Sequence, residues 1–240
     1  MKKNSIKIYD GPSLIDPEAR RIVVILTGLK SASTNTKTGD MLQTWIMLHA
    51  TPPHTAQKTG EDSAVCGDCR LRPLLHDKDR GTKPCYVVTF QAARSTWAAN
   101  RDAPVTPLHE VRALVARRKV RVGSYGDPMA VPDYVWQATG SHTAYTHQWK
   151  SPYRLMRSTT MASVHSPAER TSARQKGYRT FRIITNTAWN AWGGANLMDN
   201  EILCPASKEA GKLTTCARCE LCNGKLGIND NRKDIAIVAH

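Results

Sequence analysis

From residue 85 onward the chain carries short β-rich runs at intervals too long for hairpins, and this rhythm constrains the fold more than any other feature. The runs are CYVVTF (85–90), VRVGSY (120–125), TAYTHQW (143–149), TMASV (160–164), RTFRII (179–184), EILC (201–204) and DIAIVA (234–239). Several of the gaps read as helices. TPLHEVRALVARRK starts on Thr106 as an N-cap with Pro107 in the first turn, and places Leu108, Val111 and Val115 along one face. SPAERTSARQKG opens with Ser166 and Pro167 and stops at Gly177. Strands alternating with helices imply βαβ units and a parallel sheet. The fold class is therefore α/β, a full or partial (β/α) barrel, with an open doubly wound sheet as the competing layout. Ahead of the repeats, RRIVVILTGL (20–29) and MLQTWIMLHA (41–50), joined by the turn-rich KSASTNTKTGD, predict an N-terminal β-hairpin. No linker, low-complexity tract or internal sequence repeat interrupts the chain. A single domain is expected over residues 1–240: a hairpin segment to residue 50, a cysteine-containing loop over 51–84 and βα repeats over 85–240.

Ligands collect at the carboxyl ends of parallel strands. VRVGSY runs into Gly126, Asp127 and Pro128, TAYT into His147 and Trp149, EIL into Cys204, and the last strand into His240. Asp127 suits the orientation of a ligand amine or ribose hydroxyl, with Gly126 beside it, and equally suits a turn or helix start before proline. His147 fits a metal ligand, a general base or a satisfied rim residue. Trp136, Tyr145 and Trp149 can stack a base, although aromatic residues at this frequency mostly build cores. Ser163 lacks a Ser-His-Asp arrangement. No G-x-x-x-x-G-K-[ST] loop is present and no G-x-G-x-x-G follows a strand, so P-loop nucleotide hydrolysis and Rossmann hydride transfer lack their sequence supports. The stretch NTAWNAWGGANLMDN (186–200) reads as an insertion without an assigned role.

The cysteines are where chemistry concentrates. Seven thiols cannot all pair as disulfides. Cys66, Cys69 and Cys85 are spaced C-x2-C-x15-C, and Cys204, Cys216, Cys219 and Cys222 are spaced C-x11-C-x2-C-x2-C. A two-residue gap lets both sulfurs reach one ion from a single turn, and Gly67 relieves crowding there. Four thiolates complete the tetrahedral shell of zinc or hold one iron–sulfur cluster. For the three-cysteine group, a fourth ligand such as His76 makes a closed structural site. Without it one metal position stays open for substrate or cofactor. A third arrangement merges members of both groups into one site.

Thirty-four Lys and Arg against twenty Asp and Glu give a net charge of +14, which attracts polyanions. The basic runs VRALVARRKVR (111–121) and AERTSARQKGYR (168–179) read as solvated helix faces rather than as a nucleic-acid motif. The opening MKKNSIKIYDGPSLIDPEAR lacks the apolar run of a secretory signal, and no segment approaches the roughly 18 apolar residues of a membrane span. The expectation is a reducing cytoplasm and no membrane partner, a setting in which cysteine clusters bind metal or carry redox chemistry.

The succession CGDC, CYV, VRVGSYGDP, AYTHQW, MASV, CPAS, TTCARCELC and IAIVAH, over residues 40–240, resembles phage- and plasmid-borne proteins similar to the phage gene-product-88 family. That resemblance implies a bacteriophage origin and a bacterial host cytoplasm rather than a reaction. A looser similarity is to radical S-adenosylmethionine enzymes, which pair a partial (β/α) barrel with a three-cysteine [4Fe–4S] site. Those enzymes typically use C-x3-C-x2-C where this chain has C-x2-C-x15-C. The similarity implies that Cys66, Cys69 and Cys85 hold a catalytic cluster, that Gly126 and Asp127 lie near S-adenosylmethionine, and that Cys204, Cys216, Cys219 and Cys222 hold an auxiliary cluster. The resulting expectation is an iron–sulfur barrel protein of radical type acting on nucleic acid or nucleotide. The alternatives are a zinc-stabilised basic module that binds nucleic acid without catalysis, and a phage protein that engages a host protein.

Overall fold

Apolar alternation converts directly into strands at most of the expected positions. The computed structural model describes residues 4–31, 35–75, 85–191 and 197–239. His76 and His240 lie outside the described residues. The strands are β1 (Ser5–Pro12), β2 (Arg21–Thr27), β3 (Leu42–Leu48), β4 (Val120–Tyr125), β5 (His142–Thr143), β6 (Tyr145–Thr146), β7 (Met161–Val164), β8 (Thr180–Ile184), β9 (Glu201–Leu203) and β10 (Asp234–Val238). They form two five-stranded sheets, ordered β1-β2-β3-β4-β5 and β6-β7-β8-β10-β9. In the first, β1, β2 and β3 are antiparallel neighbours and β3, β4 and β5 are parallel; the second is parallel throughout. The expected hairpin is the β2–β3 pair. The β1 strand extends it on the outer side and carries no run that the sequence reading picked out.

One expectation about local structure needs correction. CYVVTF is not a strand: residues 85–88 are irregular and Thr89–Ala93 forms a π-type turn that leads into a helix. No closed barrel forms among the described residues, where β1 and β9 end the two sheets.

The helices are α1 (Pro53–Thr59), α2 (Ser63–Cys66), α3 (Arg94–Asn100), α4 (Leu108–Val115), α5 (Asp133–Gln137), α6 (Pro167–Gln175), α7 (Asn186–Ala191) and α8 (Cys216–Cys219). The start of α6 follows the sequence logic: the Ser166 hydroxyl accepts the Glu169 N–H and Pro167 occupies the first turn. Its exit passes through Gly177 at φ +83°, a left-handed conformation that glycine adopts without a Cβ clash. At α4 the cap is Pro107, one residue later than expected, with no side-chain hydrogen bond.

Cα pairings across the parallel strands determine which side chains share a face. Arg121 pairs with Gln43 and Thr143, Tyr145 with Met161, Ser163 with Phe181, Phe181 with Ile235, and Ile235 with Ile202. One inner face therefore carries Arg121, Tyr145, Met161, Phe181 and Ile235. The opposite face carries Ala162 and Val164, which pack with Ala173 of α6, Tyr178 and Trp149. The largest core surrounds the N-terminal sheet, where Ile22, Val24, Leu26, Ile46, Val120 and Trp136 are fully buried or nearly so.

The basic run 168–179 is a solvated face only in part: Thr171, Ser172, Arg174 and Gln175 are exposed, while other basic residues turn inward. Arg170 and Arg174 both reach Asp234, at 2.9 and 2.8 Å, and Arg170 is buried. Arg179 is buried as well. Charge that sequence counting assigns to the surface is spent inside the fold. No described helix is long and apolar enough to cross a membrane.

Candidate metal centre

Cys66 packs against the core of the N-terminal sheet, Cys204, Cys216 and Cys222 pack against Met161 and Ile235 of the inner face, and all seven thiols are free of disulfides. The first group follows β3. The short helix α2 ends at Cys66, and Gly67 turns the chain at φ +57° so that Cys69 comes back beside it. A Cβ on Gly67 would lie 2.3 Å from the Gln148 amide, so this turn packs directly on the residues after β6. Gln148 fastens the junction by donating to the Cys66 carbonyl and to Asp68. Arg72 closes the loop from below, donating to Asp62 at 2.8 and 3.0 Å and to the carbonyls of Gly60 and Gly67. Cys85 joins the group through its N–H, which donates to the Leu71 carbonyl at 2.6 Å.

Burial pushes all three thiols up, Cys69 to about 12, and repulsion from neighbouring cysteines adds to the effect at Cys66 and Cys69. Without a metal these sulfurs stay protonated at neutral pH. A cation that replaces the protons removes the repulsion.

The second group packs on the first residues of the inner strands. Cys204 directly follows β9, its N–H donating to the Ala236 carbonyl of β10, and Cys216 and Cys219 are the first and last residues of α8. Cys222 follows, its carbonyl accepting the Ala144 N–H between β5 and β6. The four cysteines line one small cavity of about 10 Å³ together with Thr143 and Ile235. Burial raises Cys204 and Cys216, and raises Cys222 to about 12. Arg179 holds this loop in place through the Leu221 and Lys233 carbonyls, both at 2.7 Å. As the side chains stand, no three His, Cys, Asp or Glu among the described residues are close enough together to hold one ion.

Asp127 sits at the end of β4 with both carboxylate oxygens occupied. Oδ1 accepts from the Met129 N–H at 3.0 Å and the Thr146 hydroxyl at 2.8 Å, and Oδ2 accepts from the His147 N–H at 2.7 Å. Its own N–H donates to Val65 O at 2.6 Å, next to Cys66. Burial raises its pKa to about 6, against the pull of these donors. The residue thus ties the cysteine loop to two strand ends. Gly126 allows that close approach, since a Cβ there would lie 2.6 Å from Ile46 Cβ. The His147 ring stacks on His165 with centroids 5.7 Å apart, and burial, then the second imidazole, lowers its pKa to about 3. Trp136 and Trp149 are core residues, donating to the carbonyls of Pro128 and Ser163.

Sequence reasoning missed Arg121, Tyr86 and Gln148. The Arg121 guanidinium meets the Tyr86 hydroxyl, and its field reaches Tyr145 and Cys216 of one group and Cys85 of the other. The available signal was a charged residue at an alternating position inside VRVGSY. Comparison with protein-family models, curated proteins and solved structures returns no match.

Proposed function

We propose that this chain is a two-site thiolate metal protein of iron–sulfur type, built on a partial (β/α) barrel, with the three-cysteine site as its reactive centre. The observation that carries the reading is the gathering of free thiols at two places, Cys66 packed against the core of the N-terminal sheet and Cys204, Cys216 and Cys222 packed on Met161 and Ile235 of the parallel sheet, with α6 on that sheet's other face. The barrel reading rests on the join between the sheets: β5 and β6 are separated only by Ala144, so the strand order can continue as one curved surface.

The donor chemistry fits the group. Three thiols leave one iron of a [4Fe–4S] cluster without a protein ligand, and four thiols saturate a second cluster. When bound, such a cluster supplies one electron at its open iron, the chemistry that radical S-adenosylmethionine enzymes use. The chain's own part is positional. Asp127 and Gln148 hold the cysteine loop against the strand ends, Arg179 holds the second loop, and the aromatic side chains of the inner face limit water. A nucleotide or nucleic-acid substrate is consistent with the net charge of +14.

A second reading has its own support. The space inside the four-cysteine group, about 10 Å³, is roughly that of a single water or ion, which suits zinc. Arg112, Arg117, Arg118 and Lys119 line a separate cleft of about 450 Å³, which suits a polyanion. Under this reading the protein is a zinc-stabilised binder without catalysis.

Metal and acid-labile sulfide analysis of protein purified without oxygen, with an optical spectrum, separates the two. Iron with sulfide and absorption near 400 nm (about the range of such clusters) supports the first reading and leads to an S-adenosylmethionine cleavage assay. Zinc alone supports the second. A chain with neither metal overturns both.

A further inference from the structure

The other buried arginines give most of their donors to the protein, although the Nε atoms of Arg170 and Arg179 have no hydrogen-bond partner among the described residues. Arg72 donates to Asp62 and two carbonyls, Arg179 to the carbonyls of Leu221, Asn223 and Lys233, and Arg182 pairs with Glu201. Arg121 is different. It leaves the middle of a sheet, with β3 on one side and β5 on the other, and points to the inner face. Of the five N–H donors a guanidinium carries, the described residues accept one, at the Tyr86 hydroxyl. No Asp or Glu among them forms an ion pair with it. The residue is half-buried.

From these observations we infer that Arg121 docks the anionic group, a carboxylate or a phosphate, of a small-molecule ligand held on the inner face between the two cysteine groups. A planar guanidinium with two or more free donors matches either anion through paired charge-assisted hydrogen bonds. The surroundings suit the remainder of such a ligand. The Tyr86 ring centroid lies 5.8 Å from the guanidinium carbon, and Tyr145 packs against Phe181 with centroids 4.2 Å apart. Because the field of Arg121 reaches Cys85 and Cys216, an anion seated on it places the ligand within reach of both groups. The inference rests on reading the thiol-lined face as the site, and does not depend on which metal the thiols bind.

The test is calorimetric titration of inorganic phosphate and, separately, acetate into anaerobically purified protein at low ionic strength, with metal and sulfide measured on the same samples. The expected result is saturable binding of at least one anion, weakened about tenfold or more in Arg121→Gln, since tenfold is the loss of a single charge-assisted bond. Arg121→Lys keeps the charge but loses the fork, so it is expected to bind several-fold more weakly than the wild type; this milder variant decides the matter if Arg121→Gln does not fold. Tighter phosphate than acetate binding assigns a phosphate ligand, and the reverse assigns a carboxylate. Absence of saturable binding in metal-loaded wild-type protein overturns the inference and leaves the metal reading standing. Unchanged affinity in the variants, with an altered metal content or spectrum, also overturns it and makes Arg121 a counter-charge to the thiolates. Arg121-dependent binding in a chain without metal supports this inference while defeating the metal reading.

Discussion

Asp127 Oδ2 accepts the backbone N–H of His147 at 2.7 Å, joining the end of β4 to the end of β6 directly beneath the first cysteine loop. With the Met129 N–H and the Thr146 hydroxyl on Oδ1, one buried carboxylate serves three donors. Asp127→Ala leaves all three unpaired, and each such group costs about 1–3 kcal/mol. The variant is expected to lose about 3 kcal/mol or more in urea unfolding and to retain less metal at the three-cysteine site. A loss under about 1 kcal/mol would mean that the carboxylate is not structural and is free for a ligand.

The imidazole of His147 is expected to remain neutral far into acid. Its pKa in the folded chain is about 3 against 6.5 when unfolded, so the unfolded state binds more protons in between. Its contribution is fully present above pH 6.5 and is lost as pH falls through that window toward 3. Asp127 runs the other way: raised from 3.8 to about 6, it favours the fold at low pH and disfavours it as pH rises through that interval. NMR of the His147 ring protons should show no titration between pH 8 and 5, and His147→Gln should make the fold less acid-sensitive. A ring that titrates near neutrality would refute the assignment.

Separate cysteine groups predict separable metal. Cys69→Ala is expected to remove the metal of the first group and leave that of the second, and Cys219→Ala the converse, each read as metal per folded chain. If either substitution empties the protein, the seven thiols serve a single site.

On the outer face, Arg182 and Glu201 form a buried pair at 2.5 Å, flanked by Arg170 and Asp234. Removing one partner of such a pair typically costs about 3–5 kcal/mol because the other charge stays buried. Glu201→Ala should show that loss in denaturant unfolding, while the folded fraction keeps its metal and its anion affinity. A wild-type midpoint would show that the pair contributes nothing.

Most of the strands were legible because alternation and β-branching are local signals. VRVGSY became β4 residue for residue, and the hairpin, β7, β8, β9 and β10 fall within their expected runs. The run at 85–90 misled because Cys85 and Tyr86 are committed to the thiol group and to Arg121 instead of to a strand neighbour. Asp127 was legible as a strand-end residue. Its exhaustion of both oxygens was not, since Thr146 and His147 lie about twenty positions away along the chain.

By itself the sequence determined the α/β alternation, the grouping of the cysteines and the starts of helices such as α6, since each depends on residues a few positions apart. Only the tertiary structure decided that Arg121 lies within electrostatic reach of one cysteine of each group, that Arg170 is a buried ion-pair partner, and that among the described residues Arg121 donates to the Tyr86 hydroxyl alone. Those outcomes depend on strand register and on contacts between distant residues, which bring Arg121 beside both Tyr86 and the field of Cys216. Short-range pattern carries no information about which distant side chain will meet a charge, and burial makes that meeting energetically decisive.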